Sequence, residues 1–304
     1  MTHLPAGGAC LLVCTKHEDT MSFADPVLFE LHTSSVYAAM TTRPLGALIE
    51  AATSVRWNME EYRRFLRIEW TEYRSVETDQ KKGLPQPPAQ KPYPGDAKLV
   101  NLVAPGDLAL GTMPLVEAIN RRRSRRHYTR EPLSLEELSF LLWATQGVKE
   151  MTGDGRLTRR TVPSGGSRHP FETYLSVHRV AGLEEGLYRY LALEHKLCVL
   201  SLGDGYAERA CEACLGQESV KESAVTFIWT AIPYRTEWRY HLVSHKVIAL
   251  DAGHVCQNLY LACESIGCGT CAIAAYGQKK MDAFVGVDGK DEFVIYCAPV
   301  GKVE

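Results

Sequence analysis

Three stretches of this 304-residue sequence carry residue types at spacings that could do chemistry. The first is Arg121-Arg122-Arg123-Ser124-Arg125-Arg126, five guanidinium groups in six residues. They repel one another and are relieved by an anion. The planar arginine fork matches phosphate, and Ser124 adds a hydroxyl donor. A solvated basic turn is the competing reading. The second stretch is Pro163-Ser-Gly-Gly-Ser-Arg-His-Pro170. Its adjacent glycines let the backbone approach a ligand and its serines supply hydroxyls, although an ordinary loop shares that composition. The third is Gly267-Cys-Gly-Thr-Cys-Ala272, which has the outline GxGxxA. That dinucleotide fingerprint requires a strand before it and a helix after it. Here a long helical pattern precedes it, so the glycines are expected to end that helix and expose backbone N–H groups.

Weaker candidates are Asp251 and His254, one helical turn apart, and His169 in the second stretch. A satisfied polar face explains the first pair more often than a metal site does. Neither GxSxG nor HExxH occurs. Ten cysteines include two CxxC pairs, Cys211/Cys214 and Cys268/Cys271. Two such pairs can make a zinc site or a redox couple, but these lie far apart in sequence, and buried structural thiols are the favoured reading. Cys256 and Cys263 fall seven apart on an apolar helical pattern, as buried thiols do.

The elements that must position these groups can be read from periodicity and punctuation. Pro114–Arg122 reads as a short helix. Ser134-Leu-Glu-Glu137 is a capping box that opens a helix over Leu135–Gln146, closed by Gly147. Thr173–Val180 and Leu187–Leu200 read as a hairpin turning at Gly182–Gly186, and Tyr206–Leu215 as a helix. Ala224–Ile232 and Phe293–Val300 read as strands. Ile248, Ala252, Val255, Leu259, Ala262 and Ile266 step by 4, 3, 4, 3 and 4, marking one long helix with an apolar seam. Strands and helices without βαβ alternation predict an α+β fold.

Residues 1–112 read as a helical extension with a proline-rich arm, and residues 113–304 as the domain carrying the site. Within the extension, Val55–Tyr73 reads as a helix with aromatic residues at helical intervals. Leu84–Pro94 (LPQPPAQKPYP) reads as a linker or an arm laid over a surface, with an SH3-type ligand as a lesser alternative.

Composition excludes several classes. Lys plus Arg is 34 against 36 for Asp plus Glu, a net charge of −2, which argues against coating nucleic acid through bulk charge. No apolar run reaches the roughly 18 residues of a membrane span. The short apolar run Ala9–Cys14 has no basic residue before it and makes a poor secretory signal, so a cytoplasmic location is expected.

Taken in order, RRRSRRHYTREPLSLEELSFLLWATQG, PSGGSRHPFETYLSVHRV with GLYRY, LDAGHVCQNLYLACESIGCGTCAIAAY and a final VIYCAPVGK resemble the nitroreductase-like flavoproteins. Within them the sequence is most similar to the SagB-type dehydrogenase branch. The similarity spans Pro114 to Lys302 and extends more loosely to AATSVRW and PPAQKPYPGDAKLVNL. The resemblance implies an α+β sandwich, an intertwined homodimer with the Ile248–Ile266 seam of the long helix buried between subunits, and FMN at each subunit interface.

It further implies that Arg122, Arg123, Ser124 and Arg126 hold the FMN phosphate and ring edge, where a cation stabilises the anionic reduced flavin. Pro163, Ser164, Gly165 and Ser167 correspond to a loop reaching the flavin from the other subunit. Ala274 and Ala275 correspond to the backbone approaching N5 and O4, with Gly269 and Thr270 on the turn leading there. Lys302 stands near the family's basic C-terminal tail. Arg239 and Tyr240 occupy the place of a basic residue and a tyrosine beside the flavin and are the candidate catalytic pair. Azoline-oxidising relatives tend to have lysine at Arg239, and arginine, always protonated, is a poor general base.

The expected function is an FMN-dependent oxidoreductase passing two electrons through flavin N5, with NAD(P)H as a candidate donor and a small molecule or peptide as substrate. The alternative is a catalytically silent flavin-fold scaffold in a peptide-modifying complex. No metal, nucleic acid or membrane is implied.

Overall fold

A computed structural model describes residues 59–152 and 157–304. The chain divides into two compact units, Met1–Tyr62 and Arg63–Glu304, and the second holds the sheet and every candidate site residue. The readings that fall before residue 59, including Cys10, Cys14 and the start of the expected Val55–Tyr73 helix, lie outside the described residues.

The elements are β1 (Leu99–Asn101), α1 (Leu115–Arg121), α2 (Leu135–Gln146), β2 (Val148–Thr152), β3 (Leu157–Arg160), β4 (Phe171–Val177), β5 (Gly186–Leu191), β6 (Lys196–Leu202), α3 (Tyr206–Ala213), α4 (Glu218–Glu222), β7 (Val225–Ala231), α5 (Tyr234–Tyr240), α6 (Ser244–Ser265), β8 (Cys268–Thr270), α7 (Gln278–Val285) and β9 (Phe293–Lys302). Seven strands form one antiparallel sheet in the order β1-β6-β5-β4-β7-β9-β8, and β2 and β3 form a separate hairpin. The fold is α+β.

Two-residue alternation sends the strands' side chains to opposite faces. On one face Leu175, Val177, Phe227 and Trp229 pack with Leu138, Leu141 and Leu142 of α2 and Val255 and Leu259 of α6. On the other, Tyr174, Ile228, Val294 and Cys297 pack with Ala210 of α3 and Met281 of α7. Ser134 caps α2: its hydroxyl accepts from Glu137 N, and the Glu137 carboxylate accepts from Ser134 N.

Three expectations are corrected. Leu187–Leu200 is not one strand. It holds β5 and the start of β6, turning at Ala192–His195, where His195 has φ +52° and its ring is fixed by Tyr190 OH and Val103 O. The described part of Val55–Tyr73 is not one helix. It is a turn at Met59–Arg63 and another at Trp70–Tyr73, the latter capped by Glu69, whose carboxylate accepts from Thr71 N at 2.9 Å. The apolar seam of α6 is not left for a partner: Ile248, Ala252, Val255, Leu259 and Ala262 are buried in the chain's own core. The seam is consumed because α6 lies across the sheet beside α2, and its outward stripe is Ala249, Leu250, Gly253 and Gln257.

The proline-rich stretch lies along the sheet. Lys91 N donates to Glu172 at 2.7 Å, and Ala89 O and Pro92 O accept from the buried Arg160 and Arg189 guanidinium groups, both at 2.9 Å. Lys91 Nζ pairs with Glu292 at 2.5 Å.

Candidate functional site

The candidate residues gather at two places along α6. Toward its C-terminal end, the arginine run leaves α1 and forms a one-residue parallel bridge with β8 between Ser124 and Thr270, with Arg125 N donating to Thr270 O at 2.9 Å. Gly269 makes this approach possible: a Cβ there would lie 2.6 Å from Arg125 Cβ and Val303 Cγ1. Gly267, at φ +68°, turns the chain out of α6 into β8. In GxGxxA, therefore, one glycine ends a helix and the next admits a neighbouring chain segment, which is a different use from a dinucleotide turn.

Tyr260 of α6 ties this group together. Its hydroxyl lies 3.1 Å from Ser124 Oγ and accepts from Ala272 N at 2.8 Å, and Arg122 stands 5.4 Å over its ring. Tyr260 was not among the residues singled out from the sequence, because nothing in its helical position distinguishes it from a packing aromatic. Arg121 and Arg125 are paired with the buried Glu264. Among the described residues no carboxylate lies within ion-pair distance of Arg122, Arg123 or Arg126, and the last two line a cleft of about 670 Å³ with Ser124, Tyr128 and Arg130. Thr270 Oγ1, buried beside Ser124, has no hydrogen-bond partner. Unpaired cations with an orphaned hydroxyl behind them fit an anionic group such as a phosphate.

Lys302 points elsewhere: its ammonium is paired with Glu137 at the start of α2. Ala274 and Ala275 are exposed on the segment after β8. Ala275 O accepts from Gln217 at 2.8 Å, and Ile273 bridges Cys297 on β9.

Toward the N-terminal end of α6 lies the second group. Ser164 OH donates to Asp251 Oδ2 at 2.6 Å, Gly165 N donates to the same carboxylate, and Ser164 Oγ accepts from His169 N at 2.9 Å. Burial raises the Asp251 pKa, and the Ser164 and Gly165 bonds pull against that rise. Gly166, at φ +59°, faces Tyr240 and Arg239: a Cβ there would lie 2.5 Å from Tyr240 OH and 3.0 Å from Arg239 Cδ. Gly165 packs on Val247 and Ser167 sits at φ +54°, while Pro163 is exposed at the mouth of the loop. Arg168 is buried 5.2 Å over the Trp238 ring. Behind the loop, burial and the neighbouring Arg160 lower the His169 pKa to about 3, so its imidazole is neutral. His254, 4.0 Å from Asp251, is half exposed, and it is Asp251 that holds the loop.

The eight described cysteines are free and buried. Cys211 and Cys214 pack on the α3 side of the sheet, Cys268 on the α6 side. The two CxxC pairs do not meet, and burial pushes the Cys256 and Cys268 thiols up to about 12. Among the described residues, no cluster of three or more His, Cys, Asp or Glu could hold a metal, and no helix is long and apolar enough to cross a membrane.

Residues 119–302 match the nitroreductase family. The chain belongs to the nitroreductase family. It is 32% identical over 188 residues to the nitroreductase-named protein MJ1384 of Methanocaldococcus jannaschii, covering 62% of this chain and 90% of that one. It is 33% identical over 142 residues to the trifolitoxin-processing protein TfxB of Rhizobium leguminosarum bv. trifolii, covering 44% of this chain and 38% of that protein. The crystal structure of a nitroreductase from Ralstonia eutropha superposes with a TM-score of 0.57 at 26% identity, over 73% of this chain and 99% of the other. Within this nitroreductase fold, the family-matched region holds both groups around α6.

Proposed function

We propose that this nitroreductase is an FMN-dependent oxidoreductase of the SagB-type branch, working as a homodimer. The observation that carries the proposal is the unpaired Arg122, Arg123 and Arg126 set beside the orphaned Thr270 hydroxyl at one end of α6, with the Gly165–Gly166 loop and Tyr240 at the other. FMN, when bound, would supply a two-electron acceptor and donor at its N5. The chain's own part is to hold the phosphate with Arg122, Arg123, Arg126 and Ser124. Ala274 and Ala275 present backbone toward the ring, and a cation near the ring edge favours the anionic reduced form.

The two groups are separated along α6 by the rise from Asp251 to Tyr260, about 13 Å at ~1.5 Å per residue. Antiparallel pairing of two α6 helices through the outward stripe, about a two-fold axis midway between Gly253 and Gln257, would set the Tyr260 level of one copy beside the Asp251 level of the other, making one complete site from two halves. The surface supports this. Leu115 and Val116 on α1 and Leu250 on α6 are more than half exposed, and exposed large apolar side chains are what a subunit interface covers.

Similarity to TfxB favours a peptide over a small molecule as the partner that exchanges electrons with the flavin. In the proposed cycle one donor, the substrate or a nicotinamide, gives two electrons to the flavin, and a separate acceptor takes them up. Anaerobic titration of the purified protein with dithionite tests the reading. Uptake of two electrons per chain supports it, and a protein that takes up none is the silent scaffold.

A further inference from the structure

The helix that carries Arg239 and Tyr240 does not hold itself in place. At seven residues α5 is too short to be stable by its own hydrogen bonds. It ends at His241 with φ +49°, a conformation that costs a side-chain-bearing residue energy. The last carbonyls of any helix lack partners within it. Here Trp238 O accepts from Gln80 N at 2.9 Å, and Arg239 O accepts from Tyr73 OH at 2.8 Å. Both donors come from more than 150 residues upstream in the sequence.

The same upstream segment grips α5 along its length. Trp238 Nε1 donates to Leu84 O at 2.9 Å, and Tyr234 OH donates to Asp79 at 3.1 Å. Trp70 packs edge-on against Tyr240, with ring centroids 6.1 Å apart. At the start of α6, Lys246 Nζ donates to Leu66 O at 2.7 Å. The upstream partners in all of these contacts lie between Leu66 and Leu84, ahead of the residues that match the family. The family-matched region therefore lacks the cap for the helix that bears the candidate catalytic pair.

We infer that the Leu66–Leu84 segment is a clamp that positions Arg239 and Tyr240, with Trp70 and Tyr73 as its positioning residues. They act through α5: Tyr73 caps the helix terminus, and Trp70 fixes the ring of Tyr240 against Gly166. The clamp's chemical role rests on the function proposed above, whereas its mechanical role does not.

The test uses the full-length chain with two readouts. Hydrogen exchange of residues 234–241 is measured in wild type, in the double variant Trp70→Ala/Tyr73→Phe, and in Trp70→Phe. Loss of one capping hydrogen bond and one aromatic contact predicts exchange about fivefold or more faster in the double variant. Trp70→Phe, which keeps an edge contact and the Tyr73 hydroxyl, should retain most of the wild-type protection. Unchanged exchange in the double variant overturns the clamp, whether or not the protein carries flavin. In flavin-loaded protein, kcat should fall by a similar factor while KM for the donor and FMN occupancy stay at wild-type values. Faster exchange with unchanged kcat overturns the positioning role. Loss of flavin from the wild type counts against the proposed function and leaves the exchange result to decide the clamp.

Discussion

Asp251 of α6 holds Ser164 by a 2.6 Å hydrogen bond from the serine hydroxyl, which in turn accepts from the backbone N–H of His169. The long helix thereby fixes the shape of a glycine-bearing loop 87 residues earlier in the chain. Replacing Asp251 with Ala leaves Ser164 OH and Gly165 N without their acceptor. Unfolding stability should fall by roughly 1–3 kcal/mol. Asp251→Asn, which keeps one acceptor oxygen, should recover part of the loss in a urea melt.

Gly166 gives a sharper test of the same loop. Its positive φ and its approach to Tyr240 OH both exclude a side chain. Gly166→Ala should therefore displace Tyr240 and lower turnover about tenfold or more while FMN stays bound. Flavin-loaded Gly166→Ala with wild-type turnover would remove Tyr240 from the site.

The loop region and the long helix show what the sequence reveals and what it does not. The capping box at Ser134–Glu137, the 4-3 stepping of α6 and the glycine that ends it are local signals, and each matches the element found. The split of Leu187–Leu200 was hidden because the turn at Glu194–His195 is polar but lacks glycine or proline. The role of Tyr260 was hidden for another reason: its partners Ser124 and Ala272 come from both sides of it in sequence and meet only after α6 is docked. The α6 seam was legible as apolar, but periodicity does not say whether an apolar face meets its own sheet or a second chain.

Core and outward residues of α6 therefore respond differently to an added charge. Val255 and Leu259 are core residues, so Val255→Asp should unfold the chain by burying an unpaired charge. Leu250→Asp, on the exposed face, should leave the fold intact and shift sedimentation from dimer to monomer. Flavin should be lost with the dimer, because each half-site then lacks its complement. A wild-type monomer that holds FMN would contradict the composite site.

Two histidines, His169 and the partly buried His178, set a pH response. Burial lowers the His169 pKa to about 3 and the His178 pKa to about 4, both below their ordinary 6.5. Between those values and 6.5 the unfolded chain binds protons that the folded chain refuses, so stability is complete above pH 6.5 and falls as pH drops toward 4. Thermal melts of wild type and His169→Asn across that range check this. The variant should lose less stability on acidification, and parallel curves would contradict the assignment.

The arginine cluster carries the cofactor claim at the level of single residues. A charge-assisted bond to phosphate is worth roughly 1.5–3 kcal/mol, so Arg122→Ala should weaken FMN binding about tenfold or more. Dialysis followed by flavin quantification reads this directly.

Whether this member of the nitroreductase family is a flavoenzyme is tested most directly by the visible absorption spectrum of the purified full-length protein. A flavin band equivalent to one FMN per chain, bleached by dithionite and released on denaturation, is the expected result. A colourless protein that fails to take up added FMN would contradict it.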